Sequence, residues 1–221
     1  MAELYMIQPL EPPLFSNLQL SIGHPLISIA SGYFHNLAIK SDGSLIAWGW
    51  NNAGQCEVPL GNDYVSVAGG WHHSLALRSD GSLAAWGLNN VGQCNIPSGN
   101  DFVAIGAGDY HSIALKSDGS IVAWGGNYND FGVYSGQSVS PIGNDFTAIY
   151  SGVWHNLALS SDGSITAWGD NTNGQLNIPV GGGFADIAAG HYYSLALTPE
   201  PATLVLLGVA IPWMLRRRQY A

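Results

Sequence analysis

The stretch Gly70–Gly87, GWHHSLALRSDGSLAAWG, is written four times in this 221-residue chain and begun a fifth time. Its turn aspartates are 38 residues apart over three copies and 44 residues apart at the next: Asp42, Asp80, Asp118 and Asp162. A fixed period near 40 residues indicates a repeat architecture, in which each unit buries its apolar faces against its neighbours. Fold and function must therefore both be inferred from this unit.

One copy of the unit predicts a four-stranded antiparallel meander. Phe102-Val103-Ala104-Ile105 is a β-rich first strand, and His111 to Lys116 alternates as a second. Ser117-Asp118-Gly119-Ser120 has the composition of a tight turn, so Ile121 to Trp124 returns as the third strand. Gln93 to Pro97 of the preceding copy marks a short fourth strand that proline ends.

The strands carry Leu or Ile on one face and Ala on the other, which suits sheets covered on both sides by neighbouring sheets. Small four-stranded sheets packed face to face around an axis are the blades of a β-propeller. The sequence therefore predicts an all-β, propeller-like array of about four to five four-stranded blades, with an incomplete ring as an option. A solenoid of stacked hairpins is the competing geometry. The third copy is six residues longer within Gly126–Gly136, as expected of a loop insertion.

We divide the chain into an N-terminal lead-in segment at 1–16, repeats at 17–198, and a C-terminal segment at 199–221. Its 15 acidic and 6 basic residues give a formal charge of -9, and three of the bases are the last arginines. Because binding a phosphate backbone needs clustered Lys or Arg, nucleic acid is excluded as a partner. Cys56 and Cys94 occupy equivalent positions of neighbouring repeats, where strands diverge, and free thiols are favoured over a disulfide.

Histidine and tryptophan recur at fixed positions of the unit, which predicts a structural role for both. Imidazole could serve metal binding or catalysis, but the fifth copy has Tyr193 at this position, and tyrosine keeps a hydrogen bond while being a poor zinc ligand. We predict no catalytic residue, no metal site and no cofactor. The residues assigned to the scaffold are His35, His73, His111, His155, Trp48, Trp86, Trp124 and Trp168.

The pair of residues between the repeated Gly and His varies while its frame stays fixed. In an up-and-down blade this turn shares a face with the loop after the third strand, and many of these residues are aromatic. Such a surface suits protein binding and sugar stacking alike. The alternative, that about half of these rings only cover the core, stays open. The predicted ligand-binding face comprises Tyr33, Phe34, Trp50, Trp71, His72, Tyr110, Trp154 and Tyr192.

The recurring Gly-x-x-His-Ser-Leu-Ala-Leu, with Ser-Asp-Gly, Ala-Trp-Gly-x-Asn and Gly-Gln after it, resembles the repeat of the regulator of chromosome condensation superfamily. It is most similar to the short bacterial form, of the β-lactamase inhibitor protein type, over residues 17–198. The resemblance implies a propeller, usually of seven blades. This chain has four complete strand sets and a fifth that stops after Leu197. The ring is then open, or the two ends jointly build a closing blade, or the gene product is longer.

The last 23 residues resemble a PEP-CTERM sorting signal, which joins a Pro-Glu-Pro, an apolar helix and an arginine cluster. Ala202–Leu215 is uncharged, and its fourteen residues would rise only about 21 Å as a helix, so apolarity alone leaves a membrane span open. The resemblance implies export, retention in the inner membrane by the helix, and processing by an exosortase-type enzyme. The alternative is a last strand packed on the propeller. The residues that carry the signal are Pro199, Glu200, Pro201, Arg216, Arg217 and Arg218.

Residues 1–31 contain no export signal, since Glu3 and Glu11 are its only charges and Pro9, Pro12 and Pro13 interrupt it. We therefore expect the natural protein to start upstream of Met1.

The functional prediction is an exported, surface-associated scaffold that is not an enzyme and binds a protein or an exopolysaccharide through its aromatic face. It would be anchored in the inner membrane and then reach the cell surface or the exterior after processing. A propeller-type enzyme inhibitor and a polysaccharide-active enzyme are the alternatives. The enzyme would need an acid–base pair in the insertion, where only Asp130 is available. An exchange-factor role is disfavoured by the acidic body and the tail.

Overall fold

In the computed structural model, which describes residues 24–129 and 131–199, the chain is built from antiparallel β-sheets that follow the repeat. The described residues form fourteen strands and no helix. The strands are β1 (Leu26–Ser31), β2 (His35–Lys40), β3 (Leu45–Gly49), β4 (Tyr64–Gly69), β5 (His73–Arg78), β6 (Leu83–Gly87), β7 (Phe102–Ala107), β8 (His111–Lys116), β9 (Ile121–Gly125), β10 (Phe146–Ser151), β11 (His155–Ser160), β12 (Ile165–Gly169), β13 (Asp186–Ala189) and β14 (Ser194–Leu197).

Each of the first four repeats forms one three-stranded sheet, in the order first–second–third strand, and the fifth forms the pair β13–β14. The register is the same in every complete sheet: in the second one, His73 lies opposite Gly87 and Leu77 lies opposite Leu83. A bulge follows the first residue of each first strand, as between Tyr64 and Ser66. The predicted all-β, blade-like repeat is confirmed at this level.

The predicted fourth strand at Gln93–Pro97 is wrong, because these residues form a loop. Local side chains satisfy its backbone: Asn89 Oδ1 accepts from Cys94 N at 2.9 Å, and Gln93 Oε1 accepts from Val91 N at 3.0 Å. Asn and Gln side chains that bind nearby backbone compete with strand pairing. The blades of the described chain are therefore three-stranded.

The Ser-Asp-Gly turns close the second and third strands as the sequence predicts. Asp80 Oδ1 accepts hydrogen bonds from Ser82 N at 2.9 Å and from Ser82 Oγ at 2.6 Å. Gly81 has a φ of +80°, and a Cβ there would lie 2.2 Å from Asn100 O, so both conformation and space call for glycine. This arrangement recurs in the equivalent turns and fixes the hairpin register.

The core lies between successive sheets. Leu77 and Leu83 of the second sheet pack against Phe102 of the third, and the other contacts between neighbouring sheets repeat this pattern. At the two ends the same positions face solvent: Ile29 is 65% exposed and Leu195 is 58% exposed. The apolar surface of each sheet is thus covered by its neighbour.

Among the described residues there is no helix with the length and apolarity needed to cross a bilayer. The predicted C-terminal helix, the lead-in segment and Asp130 lie outside the described residues. Of the predicted sorting signal, only Pro199 lies within them.

Candidate functional site

The turns between the first and second strands of all five repeats converge on a shallow axial pocket of about 290 Å³. Backbone hydrogen bonds join neighbouring sheets there: Tyr33 N donates to Gly70 O at 3.1 Å, and Asp109 N donates to Val153 O at 3.0 Å. The variable pairs are therefore held on a backbone that the sheets fix. The repeated glycines that line the pocket are Gly32, Gly70, Gly108, Gly152 and Gly190.

The side chains of these turns form one connected cluster of nine rings, which we call the aromatic face. Tyr33 is at its centre, with ring centroids 4.5 Å from Phe34, 6.0 Å from Trp71 and 6.3 Å from His191. Further contacts extend it in both directions around the axis. The members are Tyr33, Phe34, Trp50, Trp71, His72, Tyr110, Trp154, His191 and Tyr192.

The structure brings together all eight residues of the predicted face but does not expose them equally. Tyr33, Phe34, Trp50 and Tyr192 are between 39% and 54% exposed, whereas Trp154 is only 3% exposed. Trp154 lies beside Tyr192, with 5.6 Å between ring centroids, and so supports the surface without offering one. His191 joins the cluster although it was not among the predicted site residues. The signal was its position, which matches that of Tyr33 in the repeat.

The four repeated histidines are buried between sheets and each reaches the next repeat. His73 Nε2 lies 3.1 Å from Ser112 Oγ, and that hydroxyl in turn donates to Gln93 O at 2.9 Å. Because the serine proton is already used, Nε2 carries the imidazole hydrogen and donates. The corresponding pairs are His35 with Ser74, His111 with Asn156, and His155 with Ser194.

Burial keeps these imidazoles neutral. It lowers the pKa of His73 to about 3, with a smaller contribution from the charge of His111, and lowers the pKa of His111 to about 4. A second proton would have to sit on Nδ1, which is buried and lacks a hydrogen-bond partner in both residues. The structure therefore places the histidines in the scaffold.

The repeated tryptophans join the same contacts. Ser74 Oγ and Trp86 Nε1 both donate to the carbonyl of Gln55 in the preceding repeat, at 2.9 and 2.8 Å. Gln93 O and Gln137 O also receive two donors each, from the serine or asparagine and the tryptophan of the next repeat. One buried glutamine carbonyl thus connects each pair of neighbouring sheets.

Trp86→Phe is expected to lower the free energy of unfolding by about 1 to 2 kcal/mol, because it removes the indole donor to Gln55 O and part of a packed ring. Urea denaturation followed by circular dichroism measures the loss. Trp50→Phe, at a residue 48% exposed, is the matched control and should stay within about 0.5 kcal/mol of the parent. Equal losses in the two variants would contradict the assigned contact.

The insertion of the third repeat forms an ordered, aromatic loop beside the face. Asn129, itself 5% exposed, accepts from Phe131 N at 3.1 Å and Val133 N at 3.0 Å, and donates to Asp170 at 3.2 Å. Tyr128 and Tyr134 pair as a β-bridge with an edge-on ring contact. Phe131 is 81% exposed at the tip. Buried polar contacts therefore hold an exposed apolar loop in one shape.

Asn129→Ala should loosen this loop alone. We expect amide hydrogen exchange at Phe131 and Val133 to accelerate by about tenfold or more, because both N–H groups lose their acceptor. Exchange in β5 should not change. Protection that remains at Phe131 and Val133 would show that Asn129 does not order the loop.

The described residues offer little for catalysis. They contain no group of three His, Cys, Asp or Glu side chains placed to hold a metal ion. Although burial alone would raise it, hydrogen bonds from Thr172, Asn129 and Gln175 hold the pKa of Asp170 below its ordinary value. Cys56 and Cys94 are free, as predicted, and burial raises the pKa of Cys94 to about 11. The arrangement can bind but shows no acid–base pair or activated nucleophile.

Sheet repeats around an axis, with an aromatic surface on their turns, define the class of propeller-type repeat scaffolds. Four segments, 26–55, 64–93, 102–132 and 146–175, match the regulator of chromosome condensation (RCC1) repeat. These segments make up more than half of the chain. The chain therefore belongs to the regulator of chromosome condensation repeat family.

Curated relatives match only part of the chain. Alsin of Rattus norvegicus is 40% identical over 57 residues, which are 26% of this chain and 3% of Alsin. Alsin of Mus musculus is 44% identical over 52 residues, 24% of this chain and 3% of that protein. The chain thus spans a small fraction of the relatives that it matches.

Solved structures share the fold over most of the chain. Human WBSCR16 has a TM-score of 0.67 at 19% identity, covering 83% of this chain and 60% of that one. The ectodomain of the Physcomitrella patens receptor kinase CR4 has a TM-score of 0.66 at 22% identity, covering 85% and 52%. Prp20p of Saccharomyces cerevisiae has a TM-score of 0.66 at 17% identity, covering 90% and 61%. The propeller-type fold predicted from the repeat is confirmed.

Proposed function

We propose that the chain is a non-enzymatic binding protein that holds a partner protein on its aromatic face. The observation that carries this proposal is the connected cluster of nine rings, four of them 39–54% exposed, on turns fixed by backbone hydrogen bonds. Monomeric proteins rarely expose such a contiguous apolar surface without a binding role.

Ring chemistry and rigidity both favour a protein ligand. Tyrosine and tryptophan dominate the energy of protein interfaces because each covers a large area at a small cost in side-chain entropy. The turns that carry Tyr33 and Trp71 are held by bonds to the neighbouring sheet, so little ordering remains on binding. Structures of the same fold are described with protein partners, since yeast RCC1 (Prp20) has been crystallised with Kap60.

The proposed setting is outside the inner membrane. It is supported by the tail, in which an apolar run lies between Pro199-Glu200-Pro201 and three terminal arginines. Arginines on the cytoplasmic side of an apolar segment agree with the positive-inside rule. An exosortase-type enzyme would cut near Pro199 and release the scaffold. Comparing the mass of the protein from cells with and without an exosortase tests this: an unchanged mass would contradict processing.

A matrix polysaccharide is the second candidate ligand. It is favoured by exposed flat rings, such as those of Trp50 and Phe34, next to the amide-rich loop that contains Asn51. Sugars stack on such rings and bond to amides. The polysaccharide-active enzyme and the enzyme inhibitor remain alternatives, the first depending on Asp130.

Affinity capture separates these candidates. Immobilised full-length chain is offered periplasmic and secreted proteins in one arm and a panel of purified exopolysaccharides in the other. The proposal predicts a protein retained in the first arm and no saturable binding in the second. Retention of polysaccharide alone would replace the protein partner by the second candidate, and retention of neither would overturn the proposed function.

A further inference from the structure

The outer edge of β14 differs from that of every other second strand. β2, β5, β8 and β11 each pair with strands on both sides, whereas β14 pairs only with β13 among the described residues. The difference shows in burial: Ala196 of β14 is exposed, but its counterparts Ala76, Ala114 and Ala158 are completely buried. An exposed strand edge presents backbone groups ready to pair with another strand.

A groove of about 350 Å³ runs beside this edge. Leu157 and Ile165 of the fourth sheet and Ile178 of the following loop supply its apolar wall, while Gln175 and Ser194 supply polar groups. We call it the third-strand groove, because it lies where a complete repeat has its third strand. An edge with an adjacent apolar groove is suited to strand addition.

The four complete repeats show what such a strand contributes. In the second sheet, Ser74 lies opposite Trp86, Leu75 opposite Ala85, and Leu77 opposite Leu83. The indole of that tryptophan donates to the glutamine carbonyl of the preceding repeat, which also accepts from the serine. The third strands share the order apolar, variable, alanine, tryptophan, glycine.

At the fifth repeat only half of this contact is present. Ser194 Oγ donates to Gln175 O at 2.8 Å, as Ser74 does to Gln55 O. No indole from the described residues bonds to Gln175 O, whereas Gln55, Gln93 and Gln137 each receive one. The groove thus has a carbonyl and an apolar wall arranged as for a tryptophan strand.

We propose that the third-strand groove binds an extended segment of a partner polypeptide with the order apolar, variable, small, tryptophan, glycine. The segment pairs antiparallel with β14, its tryptophan lies opposite Ser194, and the indole donates to Gln175 O. The geometry continues a pairing that the chain already makes four times. This site is separate from the aromatic face and does not depend on the function proposed for that face.

The tail of the chain fits the groove less well. Counting from Ser194 in the register of the other repeats puts Leu206 at the tryptophan position. Leucine has no N–H group, so it leaves the carbonyl of Gln175 without its second donor. Occupation by the tail is therefore an outcome that the experiment must detect.

Fluorescence anisotropy with a labelled peptide of residues 117–126, SDGSIVAWGG, tests the proposal on the full-length chain in mild non-ionic detergent. We expect saturable binding, and about fivefold weaker binding when benzothienylalanine, which keeps the ring shape without the N–H, replaces the tryptophan. No binding up to about 1 mM, or equal binding of a peptide with permuted order, would overturn it.

Cross-linking tests the register. With Cys56 and Cys94 changed to Ser, Ala196→Cys should form a disulfide with a peptide carrying Val122→Cys, because Ala114 pairs with Val122 in the third sheet. A peptide carrying Ser120→Cys should not react. Equal reaction of both peptides would overturn the register. A disulfide between Ala196→Cys and Leu204→Cys of one chain would assign the groove to the tail and overturn the proposal.

Discussion

Gly108→Ala is expected to lower the free energy of unfolding by about 3 kcal/mol or more, and to prevent folding at elevated temperature. A Cβ at this position would lie 2.0 Å from Cε1 of His111 and 2.7 Å from the carbonyl oxygen of Gly152 in the next sheet. The backbone of Gly108 has no positive φ, so the effect is one of space alone. Neither the buried imidazole nor the neighbouring backbone can move without breaking contacts between sheets.

Two further variants identify the cause. Gly182→Ala lies where the nearest heavy atom would be 3.3 Å away, and it should change stability by less than about 0.5 kcal/mol. Gly108→Ala combined with His111→Ala should cost less than the sum of the single variants, because the ring that clashes has been removed. Urea denaturation gives all four values. A Gly108→Ala protein within about 1 kcal/mol of the parent would show that the glycine is not needed for close packing.

Lowering the pH from about 7.5 to about 5 is expected to reduce the free energy of unfolding by about 4 kcal/mol through His73 and His111 alone. Their folded pKa values of about 3 and about 4 lie below the ordinary value of 6.5. The unfolded chain therefore binds protons that the folded chain does not. This stability is complete above pH 6.5 and is lost as the pH falls toward the folded pKa, at about 2 kcal/mol per residue by pH 5.

Burial also lowers the pKa of His35, to about 4, and of His155, so both add to the loss in the same direction. Urea denaturation at several pH values measures the slope. His111→Gln should reduce the slope by about 1.4 kcal/mol per pH unit, whereas His24→Gln, at a side chain that is 54% exposed, should leave it unchanged. A free energy of unfolding that does not change between pH 7 and about 5 would contradict the buried, neutral state of the histidines.

The period of the sequence was sufficient to predict the repeat, its first three strands and the Ser-Asp-Gly turns, because each depends on local alternation and turn chemistry. The fourth strand at Gln93–Pro97 could not be judged locally, since its residues look β-compatible while the side chains of Asn89 and Gln93 occupy the backbone donors. Short segments of this kind are decided by competition between side chain and backbone.

The candidate site was predicted as a set but not in its detail. All eight predicted rings lie in the cluster, yet Trp154 is 3% exposed and Tyr192, beside it, is 39% exposed. Both occupy the same repeat position, so sequence spacing does not distinguish them. The contact of His73 with Ser112 was also beyond the sequence, because it joins residues of different sheets.

Calorimetric titration of the captured partner protein tests most directly whether the aromatic face is the binding surface. One variant replaces Tyr33, Phe34, Trp50 and Tyr192 by alanine. The matched control replaces four exposed apolar residues elsewhere, Leu60, Val65, Val103 and Val180. We expect the Kd of the first variant to rise by about 100-fold or more and that of the control to stay within about threefold of the parent. A folded face variant that binds as tightly as the control would contradict the proposed function.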